Sequence, residues 1–242
     1  MYNIWLTNTN IVASPEDGAQ KVNQYVDMGA DLVKIVIDSG EAMRITRPTL
    51  SLEEASAIVQ AAHQRGVKVS SHTTTEQDLP TLLDAGVDDI AHMSTVPVRD
   101  SLIERIVRAN VYWVPTLEQS KRNSSGQGIK IGKSNLLRFV AAGGKVALGT
   151  DYNGDGRPGW EDGMPMIEIQ EMRDAGMTPM QIIVAATKNA AFVCNLDHEL
   201  GTIEVGKIAD VLVVDGNPLQ DLGVLTNVRL VIHNGAVIRE TR

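Results

Sequence analysis

Apolar residues along this chain gather in short β-branched runs separated by stretches with helical spacing, and the alternation repeats roughly every twenty to twenty-five residues. Leu32-Val33-Lys34-Ile35-Val36-Ile37 is the plainest run, apolar on both faces as a parallel strand covered on both sides should be. Further strands are predicted at 67–71, 88–91, 111–114 and 145–150, with a possible one at 2–12. The intervening helices carry their own start and stop signals. Ser14-Pro15-Glu16-Asp17 reads as a cap, a first-turn proline and first-turn acids, opening a helix that runs to Met28 and stops at Gly29. Ser51-Leu52-Glu53-Glu54 is a capping box for a helix to Arg65, ended by Gly66, and Thr178-Pro179-Met180-Gln181 opens another to about Val193. Helices at 76–85, 99–109, 134–142 and 164–175 complete the series. Lys121–Lys133, polar, glycine-rich and basic, reads as a mobile loop whose charge is solvated, and 152–163 as a second polar loop. The units share no motif, which excludes a solenoid and leaves successive βα units.

From Gly201 the pattern changes to short strands at 209–214, 228–232 and 236–238, separated by the turns Asp215-Gly216-Asn217-Pro218 and His233-Asn234-Gly235. The chain therefore divides into an α/β barrel-type domain over 1–200 and a small β-strand domain over 201–242.

At 242 residues the chain can bury a substantial core. Its net charge of −8 is spread without a basic patch, so no nucleic acid is expected as a partner. No apolar stretch has the length of a signal peptide core or a bilayer span, so no membrane is expected either, and the sequence reads as that of a soluble, cytoplasmic protein. Cys194, the single cysteine, lies in an apolar helical stretch and is expected to be a buried structural thiol.

In a parallel sheet wound by right-handed crossovers the carboxyl ends of all strands face one cleft. The polar residues at those ends are Lys34, His72, His92 and Asp151. Two neutral imidazoles with oxygen donors suit Zn2+ or another divalent transition metal, which acidifies water to supply hydroxide. Lys34 is the odd member: a buried ammonium is costly, so it must be neutral, paired or altered, and a neutral amine adds carbon dioxide to give an anionic carbamate. His63, His198 and His233 read as ordinary structural polar residues. Asp151-Tyr152-Asn153-Gly154-Asp155-Gly156, with Asp162 at the twelfth place, matches much of a calcium loop; it follows a strand and ends in aspartate, and turn preference alone accounts for it. Calcium there would divert Asp151 from the cleft.

With these residues assembled, the chain resembles the amidohydrolase superfamily, near its imidazolonepropionase-like and Xaa-Pro dipeptidase branch. The resemblance is carried by Gly29–Ile35, Ser71-His72, Ile90-Ala91-His92-Met93, Gly149-Thr150-Asp151, Thr187–Ala191 and the tail Gly201–Leu219. It implies a (β/α)8 TIM-like barrel with a small β-sandwich portion, here N-terminally truncated to five clear barrel strands and the possible sixth. It further implies that Lys34 is a carbamylated, metal-bridging lysine and that His72 and His92 bind one metal. Asp151 would be a ligand that also takes the proton of the attacking water and passes it to the leaving group. The family's His-x-His pair on the first barrel strand is missing, since no histidine precedes His63; the Lys34-His72-His92 half can hold one ion without it, and a complete centre would hold two. An open barrel exposes sheet edge and core, so self-association into a homo-oligomer or a second chain is expected to cover the gap. The function expected is hydrolysis of an amide, peptide, ester or lactone bond in a small-molecule substrate. Two alternatives stand beside it: a catalytically impaired fragment acting as a binding or assembly subunit, and a calcium-binding module on 151–162.

Overall fold

The computed structural model describes residues 11–41, 45–123, 126–152 and 163–241. Four parallel strands lie side by side in chain order: β1 (Leu32–Val36), β2 (Lys68–His72), β3 (Asp89–Ala91) and β4 (Tyr112–Val114). The strand expected at 145–150 is reduced to a single parallel bridge of Val146 with Trp113, beside which Trp113 N–H donates to Lys145 O (2.9 Å) and Ala147 N–H to Trp113 O (3.0 Å). Beyond it the backbone turns to another partner, Leu148 N–H donating to Ala185 O at 3.0 Å. Residues 1–10, most of the possible first strand, and 153–162, most of the calcium-type loop, lie outside the described residues.

Helices cover one face of the sheet. The hydroxyl of Ser14 caps α1 (Pro15–Asp27), and both bonds of the capping box open α2 (Leu52–Gln64), which stops where Gly66 takes φ +69°. Helix α3 (Leu79–Ala85) starts later than the sequence predicts because Asp78 is engaged: its Oδ2 accepts from Ser39 N–H, Ser39 Oγ and Thr75 Oγ1. After α4 (Asp100–Arg108) and β4 come α5 (Leu117–Asn123) and α6 (Gly126–Ala141), so the mobile loop expected over 121–133 is corrected to helix wherever it is described. Three of its four cations are engaged in ion pairs: Lys121 Nζ lies 2.6 Å from Glu171, Lys133 pairs with the same carboxylate, and Arg122 donates to Glu118. Gly132 is buried beside Met93 and Leu117, and burial of Leu136 and Phe139 on the same helix offsets the poor helix propensity of glycine. Helix α7 (Met166–Asp174) follows. The single helix expected to Val193 is interrupted: α8 (Pro179–Val184) and α9 (Ala190–Val193) flank a π-helical turn over Ala185–Asn189. From that turn Ala185 O accepts Leu148 N–H and Asn189 Nδ2 donates to Val146 O (2.7 Å), which fixes the segment leading to Asp151.

Register sorts the sheet residues into two faces. Ile35, Ser71, Ile90, Trp113 and Val146 form one row toward the helices, all buried. Lys34, Ser70, Asp89 and Tyr112 form a row on the opposite, inner face, and Val36, His72, Ala91 and Val114 the next row toward the carboxyl ends. The expectation that the first run is covered on both sides is corrected. Ile35 and Ile37 are buried, whereas Leu32, Lys34 and Val36 are exposed, because β1 is the edge strand and its inner face lies open. Within the outward row Ser71 Oγ is buried with no hydrogen-bond partner among the described residues. A stranded buried hydroxyl costs about 1–3 kcal/mol. Ser71→Ala is therefore expected to stabilise the protein by about 1 kcal/mol in urea unfolding; a loss of stability would show that the hydroxyl has a partner.

The tail forms a separate antiparallel sheet of β5 (Val211–Val214), β6 (Val228–His233) and β7 (Ala236–Glu240), in the order β5-β6-β7. Cys194 is exposed, correcting the buried thiol: α9 ends at Val193 and leaves the cysteine as its C-terminal cap. Among the described residues no helix is long and apolar enough to cross a membrane.

Candidate active site

β2 ends in a histidine and β3 is followed directly by one, and the two rings meet edge to face with centroids 4.5 Å apart and planes at 71°. They reach this contact from different backbones. His72 completes β2 in regular register, whereas His92 follows β3 with φ +72°, a left-handed conformation that swings its ring toward the cleft. Thr116 and Asp151, just after the fourth and fifth strand positions, are left-handed too, at +46° and +59°. For a β-branched residue such as Thr116 this is a costly backbone state that persists only where the surroundings impose it, and such residues concentrate at functional sites.

The surroundings are specific. His92 Nδ1 shares a 2.7 Å hydrogen bond with Thr116 Oγ1, and the His92 carbonyl accepts from the buried Trp113 Nε1 at 2.7 Å. The ring is thereby fixed, with Nε2 left for another partner. His72 Nε2 stands 3.6 Å from Asp38 Oδ2, a charged contact just beyond hydrogen-bond range. Asp38 is itself buried, accepting from Thr74 N–H (2.9 Å), Thr74 Oγ1 (2.6 Å) and Gly40 N–H (2.9 Å). Burial would raise its pKa, but those hydrogen bonds outweigh it and hold the carboxyl below the usual range, so Asp38 stays ionised.

Lys34 lies one row deeper. Its Nζ donates to Ser70 Oγ (3.2 Å), and Ser70 Oγ donates to Asp89 Oδ1 (2.7 Å), a relay across three adjacent strands. Although Lys34 counts among the exposed residues, its ammonium lies in this crowded row. Desolvation draws its pKa below that of an ordinary lysine, against the charges of Asp89 and Asp151. Asp89 is 1% exposed, its Oδ2 has no hydrogen-bond partner among the described residues, and burial pushes its pKa up to about 6. Both imidazoles are held toward the neutral form: His72 by burial and by Lys34, His92 more strongly by burial, His72 and Lys34. Asp151 Oδ2 accepts from Gln119 Nε2, and burial raises its pKa despite Lys34 and that bond.

The four residues picked from the sequence thus sit around one end of the sheet, the histidines in contact and Lys34 and Asp151 within electrostatic reach of one another. Among the described residues no three His, Cys, Asp or Glu side chains already converge as a cation site. The donor chemistry fits a divalent ion all the same: two neutral imidazoles, one oriented through its far nitrogen, with a carboxylate at the rim. An ammonium at Lys34 opposes that charge, and a neutral or carbamylated Lys34 removes the opposition. His63, His198 and His233 sit elsewhere, with His63 on Asp88 (2.8 Å) and His233 on Asp210 (3.0 Å). Sequence reading missed Asp38, Thr116, Gln119 and Asp89. The rule that found the histidines, a polar residue directly after an apolar run, also flags Asp38 after Ile37 and Thr116 after Val114-Pro115.

The sequence matches the amidohydrolase family over residues 7–238. Ochratoxinase of Aspergillus niger is 28% identical over 240 residues, covering 90% of this chain and 48% of that one. Imidazolonepropionase of Geobacillus sp. is 40% identical over 82 residues, 34% of this chain and 19% of the relative. A crystal structure of a Xaa-Pro dipeptidase with bound methionine in the active site superposes with a TM-score of 0.80 at 28% identity, covering 99% of this chain and 62% of that one. The chain thus spans about half the length of the ochratoxinase it matches.

Proposed function

This chain belongs to the amidohydrolase family, and from that premise we propose that it is a metal-dependent hydrolase cleaving an amide, peptide, ester or lactone bond of a small molecule. The observation that carries the reading is the edge-to-face pair of neutral imidazoles, 4.5 Å apart, at the carboxyl ends of adjacent strands. His72, His92, Lys34 as a carbamate and Asp151 would hold one or two divalent ions such as zinc, which would acidify water and polarise a carbonyl. Thr116 orients His92, and Asp38 offers its fixed charge to His72. Asp151, with Oδ2 engaged by Gln119, uses Oδ1 to take a proton from the attacking water and hands it to the leaving group. The relatives' names support amide-type substrates, since a Xaa-Pro dipeptidase is among them.

The open inner face, with Leu32 and Val36 exposed, favours a second reading in which the chain is a binding or assembly subunit whose barrel edge another polypeptide covers, a second copy included. Assays separate the two. N-acyl amino acid amides, Xaa-Pro dipeptides, aryl esters and lactones are offered to protein supplied with bicarbonate and zinc or manganese, and again after chelation. Hydrolysis of one class that chelation stops and metal restores is expected. Absence of metal-dependent turnover on every class overturns the enzymatic reading.

A further inference from the structure

Four residues that precede and open α5, Thr116 to Gln119, do unusual work. Thr116, in a left-handed conformation at φ +46°, bonds His92 Nδ1, and Gln119 donates to Asp151 Oδ2. The two residues between them face away from the cleft. Leu117 N–H donates to Glu168 Oε1 at 3.0 Å and Glu118 N–H donates to Glu168 Oε2 at 2.6 Å. Glu168 lies on α7, is 0% exposed, and spends both carboxyl oxygens on these adjacent N–H groups. We infer that Glu168 is a positioning residue for the candidate site: its two-pronged grip on segment 116–119 imposes the backbone that puts Thr116 on His92 and Gln119 on Asp151. The inference rests on the reading of His92 and Asp151 as site residues.

Three observations converge on it. The strained backbone of Thr116 needs an outside restraint, and the bonds that supply one begin at the next residue. The restraint is bidentate, so it fixes orientation as well as distance. Burying a carboxyl group is costly, and here both oxygens are spent on the first-turn N–H groups of α5, which have no partner within the helix, so the carboxyl fixes where and how that helix starts. Ion pairs at Glu171, one turn along α7, to Lys121 and Lys133 tie the same helix to α5 and α6, so the grip is anchored on both sides.

The test reads the imidazole of His92 and the side-chain amide of Gln119 by nitrogen-15 NMR in metal-free protein held above pH 8, where the Glu168 carboxyl is ionised and both oxygens accept. Glu168→Gln offers one acceptor where two N–H groups need two, and turns a donor toward one of them. Thr116→Val removes the histidine's partner outright and supplies the reference spectrum of a released ring. In Glu168→Gln the His92 signals are expected to move most of the way from wild type to Thr116→Val, and the Gln119 amide to shift with them, in a protein that still unfolds cooperatively. Should that variant fail to fold, Glu168→Asp keeps both acceptors but withdraws them by one methylene, and an intermediate shift in the same direction is expected. Wild-type His92 and Gln119 signals in a folded Glu168 variant overturn the inference. Because no metal or substrate enters the measurement, its outcome is independent of the functional reading: an indifferent His92 in an active hydrolase sinks the grip, and a responsive His92 in an inactive protein keeps it.

Discussion

Lys34→Ala is expected to strip the protein of co-purifying divalent metal, and with it all measurable hydrolysis, while leaving the fold intact. The fold survives because Lys34 lies on the inner face of the sheet, opposite the buried row of Ile35, Ser71, Ile90, Trp113 and Val146 that packs toward the helices. The site fails because the ammonium is already drawn toward neutrality by desolvation, the state in which the amine adds carbon dioxide and turns a repelling charge into a ligand. Added formate, acetate or propionate, which restores an anionic oxygen donor at the vacated position, is expected to recover part of the activity. Metal content and turnover equal to wild type would remove Lys34 from the site.

Asp151→Asn separates metal binding from chemistry. The amide keeps an oxygen donor and the shape of the side chain, so metal per chain is expected to stay near wild type. The group can no longer take a proton, and kcat is expected to fall by roughly 10²–10⁴-fold, the usual contribution of general acid–base catalysis. Its left-handed backbone, φ +59°, is one asparagine also tolerates, which argues against a folding artefact. Turnover at the wild-type rate would take Asp151 out of the mechanism.

Stability against pH gives a third expectation. Burial, with Glu118 and Glu171 nearby, pushes the Glu168 pKa up to about 8 against its two backbone hydrogen bonds, from an ordinary value of 4.5. The folded state therefore holds a proton that the unfolded state releases across this interval. Stability is greatest below about pH 4.5 as far as this group is concerned, declines as pH rises through the interval, and bears the full cost above about 8. Asp89 adds the same sign between 3.8 and about 6. The melting temperature is expected to fall between pH 6 and 8.5, with a shallower fall in Glu168→Gln; parallel slopes would contradict the assignment.

Much of this architecture was legible from local chemistry. The capping boxes at Ser51 and Thr178 form as the residue types require, and the β-branched runs at 32–37, 67–71, 88–91 and 111–114 become adjacent parallel strands. The histidines were legible for the same reason, since each ends such a run. What escaped was settled by tertiary partners. Lys121 and Lys133 look like solvated loop charges until Glu171 is set between them, and glycines 126, 128 and 132 hide a helix whose buried face carries Leu136 and Phe139. The exposed face of β1 was illegible because Leu32 and Val36 flank Lys34 on it, so the run reads as apolar on both faces and only the tertiary packing decides which face is covered. Glu168 gave no local signal: an acid on an amphipathic helix reads as a solvated residue until two backbone donors from fifty residues upstream point at it.

The central claim is that Lys34, His72, His92 and Asp151 hold a metal ion. Elemental analysis by plasma mass spectrometry, on protein purified without chelator beside the His72→Ala variant, tests it most directly. About one zinc, manganese or similar ion per chain in the wild type, lost in the variant, is the predicted result. No transition metal in the wild type after incubation with zinc and bicarbonate, or equal metal in both proteins, would contradict it.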